Sequence, residues 1–294
     1  MRKPNFFIIG APKCGTTSIA AFLENHPQIF MSHPKEINFF NTDLKIGDVN
    51  SLDQYLSIFK KASKEHLAIG EASTFYLYSE VAVDKILEFN PNAKFIVMLR
   101  NPIEMVTSFH AEMCWSGLES IDDFEKAFYT RNKGLDDLNV GYACRDISLL
   151  KYESVCKLGF QVERLLNKVK RENVHFAILD DFSIDPKAEC KKILEFLGVI
   201  WDVDFDLHKL NLNRKYKSAF LRKLMWLIGR SRKHIKLPRI TTKIINLIHE
   251  MNSTPIHHRD ISDELKLQLI MTYQGDIAML SIILGRDFSD WLAA

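Results

Sequence analysis

The apolar run Phe6-Phe7-Ile8-Ile9-Gly10 leads directly into Ala11-Pro12-Lys13-Cys14-Gly15-Thr16-Thr17-Ser18. The first part reads as a buried strand, the second as a tight glycine turn opening a hydroxyl-rich helix. That order commits the start of the chain to a strand–turn–helix unit. Its turn aims backbone N–H groups and a helix N-terminus at one spot, a geometry suited to a phosphate. A nucleoside-triphosphate loop places lysine directly after its second glycine. Here Gly10 and Gly15 keep the glycine spacing, but Thr16 follows Gly15, and the stretch's one lysine, Lys13, lies inside the turn. The loop can cradle a phosphate, yet it lacks the lysine that reaches the β/γ-phosphates of ATP.

Further short apolar runs, Ala68–Gly70, Phe95–Leu99 and Phe176–Leu179, read as buried parallel strands. Helical patterns separate them at Thr17–Asn25, Val81–Asn90 and Val162–Lys170. The alternation predicts a three-layer α/β fold, P-loop-like, with a central parallel sheet. Ligands in such sheets bind beyond the carboxyl ends of the strands. Lys13, Glu71 and Arg100 each follow a predicted strand. The last third reads as helical, at Ala219–Ile228, Thr241–Ile248 and Glu264–Leu284, with a basic connection at Gly229–Pro238. We expect residues 1–294 to form a single domain with a helical, basic C-terminal part from about residue 205.

Composition, 47% hydrophobic and 26% charged, is that of a globular protein, and no run approaches the roughly 18 apolar residues of a membrane span. The apolar run after Pro4 is too short for a signal-peptide core. Cysteines 14, 114, 144, 156 and 190 are scattered, with no C-x-x-C pair, which favours neither a zinc site nor a disulfide framework. A reducing, cytoplasmic setting is expected. Charge is unevenly placed. Between Asp206 and Glu250 there is no acidic residue but there are 12 Lys/Arg, which leaves 27 Lys/Arg against 37 Asp/Glu elsewhere. The basic segment 209–243 has three readings: it covers an anionic ligand, it rests on an anionic membrane surface, or it is a packed helix with solvated charges.

Three more constellations carry chemistry. Leu99-Arg100-Asn101-Pro102, with Ser108 two helical turns on, offers a guanidinium and a hydroxyl to a second phosphate. An ion pair and an exposed helix face explain the same residues. His33-Pro34-Lys35-Glu36 sets a carboxylate beside a lysine, which serves either general-base chemistry or a surface pair. His33 and His110 are alternative bases. His257 and His258 are adjacent, so they do not share a helix face, and no metal site is expected. Phe176–Leu179 followed by Asp180-Asp181 is compatible with a Mg²⁺-binding aspartate, which keeps a small-molecule kinase as the rival reading.

Taken together, these motifs resemble the sulfotransferases that use 3′-phosphoadenylyl sulfate (PAPS). Ile8–Ser18 is similar to their 5′-phosphosulfate loop, and Leu99–Pro102 with Ser108 to their 3′-phosphate motif. Lys35-Glu36 with Asn38-Phe39-Phe40 resembles the catalytic-glutamate segment of the heparan-sulfate-type branch and its bacterial relatives. Weaker likenesses lie in Gly70-Glu71-Ala72-Ser73 with Tyr76, in Leu179-Asp180-Asp181 with Asp185-Pro186, and in Leu284-Gly285-Arg286-Asp287 with Trp291. The resemblance implies that Lys13 contacts the bridging oxygen of the phosphosulfate. Cys14, Gly15, Thr16, Thr17 and Ser18 would cradle the 5′-phosphate. Arg100 and Ser108 would bind the 3′-phosphate, and Glu36 would take the acceptor's proton. His33, Lys35 and Glu71 would contact the acceptor. Ala72 stands where glycan-modifying relatives often carry a lysine, and Lys35 is the candidate to replace it. The resemblance further implies PAPS as co-substrate, adenosine 3′,5′-bisphosphate as product, and a small-molecule, lipid or saccharide acceptor. Neither a metal nor a nucleic-acid partner is expected. A nucleotide-binding interaction protein without catalysis is the non-enzymatic alternative.

Overall fold

In a computed structural model the structure describes residues 2–134, 140–200 and 261–293, with backbone alone at 214–216 and 253–255. The chain divides into two compact units. The first comprises Met1–Val106, Glu153–Asn211 and Lys266–Ala294; the second comprises Thr107–Tyr152 and Leu212–Leu265.

The first unit is built on a five-stranded parallel sheet in the order β2-β3-β1-β4-β5. The strands are β1 (Phe6–Gly10), β2 (Ile29–Met31), β3 (Ala68–Ala72), β4 (Lys94–Leu99) and β5 (Val174–Ile178). Every residue of β1 and β3 is buried, so both faces of the sheet are covered. Phe6 pairs with Gly70 on one side and Lys94 on the other. A Cβ at Gly70 would lie 2.0 Å from the Phe6 ring, so the missing side chain makes the space the ring fills. Phe7 stacks on Phe95 and meets Phe40 edge-on. The chain winds from β1 to one side of the sheet and returns past β1 to reach β4. Strand order therefore reverses at β1, and the carboxyl ends of β3, β1 and β4 frame a crevice.

Helices α1 (Thr16–Glu24), α2 (Leu52–Ser57), α3 (Ala82–Phe89) and α4 (Pro102–Ser116) follow β1, β2, β3 and β4 respectively. After α5 (Phe124–Lys133) come α6 (Tyr152–Cys156), α7 (Leu158–Leu166), α8 (Leu179–Ile184), α9 (Pro186–Leu197) and α10 (Asp263–Leu284). Pattern alone places α7 at Val162–Lys170, four residues late. The helix starts earlier because Asp276, far along on α10, accepts the backbone N–H groups of Gly159 and Phe160 at 2.8 and 2.9 Å. A distant carboxylate thus caps orphan amides that no neighbouring residue serves. By length and composition α10 is apolar enough to cross a membrane, contrary to the reading of the sequence. Its Leu269, Tyr273, Ile277 and Leu280 are buried in the first unit.

In the second unit Glu119 bridges to Val140 as an isolated antiparallel pair, and α5 is capped by Asp123. Short strands β6 (Arg214–Tyr216) and β7 (Ser253–Pro255) pair antiparallel there. Apart from the backbone of 214–216, the basic segment 209–243 lies outside the described residues, as do His257 and His258.

Candidate active site

The turn after β1 is held from below. The N–H of Ala11 donates to Met98 O on β4 at 2.8 Å. Cys14 is buried, with its thiol directed to Pro12 O and Met105 Sδ. Burial pushes that thiol up to about 12, against the nearby charges of Arg100 and Lys13, so Cys14 is an inert anchor that leaves only its backbone for a ligand. Gly15 caps α1 at φ 87°, in the left-handed region, and a Cβ there would meet Leu179 at 2.9 Å. The first turn of α1 holds no acidic residue, which preserves the positive end of the helix for an anion. Lys13 adopts φ 62° despite its side chain. Such a conformation persists only where its surroundings over-determine it, and these places cluster at functional sites.

Arg100 leaves the end of β4 and is almost wholly buried. Its Nη1 donates to Lys13 O at 3.4 Å, and its Nε and Nη2 donate to Glu104 Oε2 at 3.2 and 2.8 Å. The guanidinium thus joins the turn to the first coil of α4. Ser108 is buried on α4 and belongs to the second unit.

The loop after β2 brings Lys35 and Glu36 to the same place. Lys35 Nζ donates to Thr17 Oγ1 at 2.9 Å and to Thr16 Oγ1 at 3.3 Å, and lies 3.1 Å from Glu36 Oε1. The other carboxylate oxygen of Glu36 accepts from the backbone N–H and the hydroxyl of Thr74, at 2.9 and 3.2 Å. The N–H of Glu36 donates to Ala72 O at 2.8 Å, which pins the loop onto the end of β3. A cation, two threonine hydroxyls and a half-buried carboxylate therefore converge on the N-terminus of α1. This arrangement can bind an anion and accept a proton a few ångströms away.

Glu71 departs from its expected place at the acceptor. Strand β3 continues through Ala72, so Glu71 lies inside the strand and is fully buried. Its oxygens accept from Tyr55 Oη at 2.5 Å, Ser73 Oγ at 2.8 Å and Tyr76 Oη at 2.6 Å. A carboxylate enclosed by three hydroxyls is held from within and is not offered to an acceptor. Burial pushes it up to about 7, with the hydroxyls opposing the shift and the charge of Glu36 adding to it.

The alternative bases go elsewhere. His33 is exposed and lies 2.5 Å from Glu24, the last residue of α1. That is about 10 Å along the helix from Thr17 at 1.5 Å per residue. His110 is buried in the second unit, 2.8 Å from Ile121 O and against Phe124 and Tyr152. The aspartates after β5 are taken: Asp181 pairs with Arg286, and Asp180 accepts from Trp291 Nε1 at 3.1 Å. The Arg286 hydrogen bond holds the Asp181 carboxyl below its usual value. Sequence reasoning missed Thr74 and Tyr55, whose roles exist only through long-range contacts, and Glu104, which an i,i+4 spacing from Arg100 could have pointed to.

A family model described as "Sulfotransferase domain" matches residues 3–217. Over 115 residues the chain is 33% identical to "Membrane-associated sulfotransferase kil1" of Dictyostelium discoideum, covering 38% of this chain and 24% of that one. Over 247 residues it is 30% identical to "Carbohydrate sulfotransferase 15" of Mus musculus, covering 67% of this chain and 44% of that one. The chain thus spans less than half the length of these relatives. A solved sulfotransferase from Alicyclobacillus acidocaldarius shares the fold, with a TM-score of 0.71 over 99% of both chains at 24% identity.

Proposed function

Because this chain belongs to the sulfotransferase domain family, we propose that it moves the sulfuryl group of PAPS to a hydroxyl of a saccharide acceptor, releasing adenosine 3′,5′-bisphosphate. PAPS supplies an activated S–O bond and a stable leaving group. The amides of Cys14–Ser18 and the start of α1 hold the 5′-phosphate, while Arg100 serves the 3′-phosphate. Lys13 neutralises charge building on the leaving oxygen, and Lys35 adds a second cation over Thr16 and Thr17. The acceptor oxygen bonds to sulfur as the bond to the bisphosphate breaks, and its proton passes to Glu36. Like phosphoryl transfer, such chemistry asks the protein for alignment and charge stabilisation more than for covalent work. The saccharide class is supported by the carbohydrate sulfotransferase relative.

The observation that carries this reading is the Lys35 ammonium, 2.9 Å from Thr17 Oγ1 and 3.1 Å from Glu36 Oε1. It joins an anion cradle to a proton acceptor. Glu36→Gln should lower kcat at least about 10²-fold while adenosine 3′,5′-bisphosphate still binds. The assay supplies labelled PAPS and labelled ATP separately to a panel of saccharides. Label transfer from ATP, or a nearly wild-type Glu36→Gln enzyme, would sink the assignment.

A further inference from the structure

Beneath Glu36 lies a second carboxylate that the transfer chemistry does not use. Glu71 accepts a hydrogen bond from the hydroxyl of each of Tyr55, Ser73 and Tyr76. Two of those hydroxyls face the loop that carries Glu36. Ser73 Oγ accepts the N–H of Asn38 at 3.0 Å. Tyr76 Oη accepts the N–H groups of Phe39 and Phe40 at 2.9 and 3.3 Å. The loop needs such support, because Glu36 and Asn38 sit at φ 60° and 54°, in a region residues with side chains rarely occupy.

A hydroxyl has one proton to give and two lone pairs to receive with. An ionised carboxylate only accepts. While Glu71 is ionised, Ser73 and Tyr76 each spend their single proton on it, and their lone pairs turn to the loop amides. A protonated Glu71 becomes a donor and a weaker acceptor: a proton on Oε1 displaces Ser73 or Tyr76, and one on Oε2 turns Tyr55 and removes the charge that the two hydroxyls on Oε1 align to. We propose that Glu71 is a positioning residue for Glu36, holding the loop Glu36–Phe40 in place by orienting the Ser73 and Tyr76 hydroxyls. This rests on the reading of Glu36 as the base. Among the described residues, four groups face Glu71: Tyr55 from α2, Ser73 and Tyr76 from the turn after β3, and Glu36 from the loop after β2. None is a cation, so the carboxyl, pushed by burial to about 7, changes charge near neutral pH.

The test follows backbone amide hydrogen exchange of Asn38, Phe39 and Phe40 alongside kcat from pH 5.5 to 9, in the full chain. Glu71→Gln removes the charge at nearly the same volume. Tyr76→Phe and Ser73→Ala remove one hydroxyl each and stay readable if Glu71→Gln does not fold. Exchange at these three amides should speed up at least about tenfold in Glu71→Gln and Tyr76→Phe. At pH 8, kcat should fall about 10- to 10²-fold, as expected when a reacting group is misplaced. The KM for PAPS should stay within about twofold. The wild-type enzyme should lose activity below about pH 7, and Glu71→Gln should lack that limb. Unchanged exchange at the three amides, or a surviving limb in Glu71→Gln, overturns the proposal. Glu36→Gln run in parallel separates the two claims. A fast Glu36→Gln removes the base, whereas a slow Glu36→Gln beside a fast Glu71→Gln removes only the positioning role.

Discussion

Glu71 in the first unit and Glu119 in the second are buried carboxylates that each accept from a tyrosine hydroxyl, and the two are held in opposite ways. In the second unit Glu119 faces Arg131, with its oxygens 3.0 and 2.6 Å from Nε and Nη2. It also accepts from Tyr152 Oη at 2.8 Å and from the amides of Ser120 and Ile121. Burial is the largest single effect and works against its charge, yet the Arg131 guanidinium, the Ile121 amide and the Tyr152 hydroxyl together outweigh it, and the carboxyl sits below its usual value. In the first unit Glu71 has, among the described residues, neutral hydroxyls as its donors; burial dominates, and the carboxyl rises to about 7. A cationic partner makes a permanent brace; its absence makes a group that titrates near neutral pH. The brace lies in the second unit, and the titrating group lies beneath the candidate base.

The largest effect should come from breaking the brace. Arg131→Met leaves Glu119 buried without its cation, which typically costs about 3–5 kcal/mol. The loss should appear in urea unfolding as a lower midpoint at every pH between 6 and 8. A cost under about 1 kcal/mol would mean that the pair is solvated and that the contrast between the units is misdrawn. Next in size is the pH dependence carried by Glu71. Between pH 4.5 and 7 the folded chain keeps a proton that the unfolded chain has released. Its contribution is therefore fully present below about 4.5 and lost as pH rises through about 7. The full span is about 3 kcal/mol at 1.36 kcal/mol per pH unit. Glu71→Gln should flatten the stability curve by that amount, and parallel curves for variant and wild type would refute the shift. On this account the protein is least stabilised by Glu71 where the charged form orders the loop of the candidate base, an exchange of stability for function of a familiar kind.

How much of this was legible follows from what is local. The strands at Phe6, Ala68, Phe95 and Phe176 could be read because parallel strands buried on both faces are continuous apolar runs. Strand β2 was missed, since three residues, Ile29–Met31, carry no period. The turn Lys13–Ser18 was readable because a glycine turn and the helix start after it are adjacent in the chain, and adjacency is a property of sequence. Glu36 and Lys35 were found as neighbours, but that Lys35 reaches Thr16 and Thr17 while Glu36 reaches Thr74 depends on the fold. Glu71 was misplaced because an acidic residue after an apolar run looks like a strand end. Nothing local to it announces that Tyr55, 16 residues earlier, will supply a hydroxyl. Asp276 escaped for the same reason, as a cap delivered from another helix.

The smallest effects come from deleting one hydroxyl at each carboxylate, and they sharpen the contrast most. Tyr152→Phe removes one donor from Glu119, while Arg131 and two backbone amides remain. It should cost about 1 kcal/mol, the usual net worth of a hydrogen bond, with no dependence on pH between 6 and 8. Tyr55→Phe removes one donor from Glu71, which has only neutral donors. The ionised form loses support, so the carboxyl should rise further and the pH at which its stabilising contribution disappears should move upward. Tyr55 donates to Glu71, whereas the amides of Asn38, Phe39 and Phe40 go to Ser73 and Tyr76. Tyr55→Phe therefore shifts the titration without cutting a strut of the loop. The wild-type loss of activity on the acid side should move to higher pH, with the plateau kcat kept within about twofold. Urea midpoints and kcat measured across pH 5.5 to 9 on both variants decide it. If the two tyrosine variants show the same pH-independent cost, the two carboxylates are equivalent braces, and Glu71 does not sense the proton.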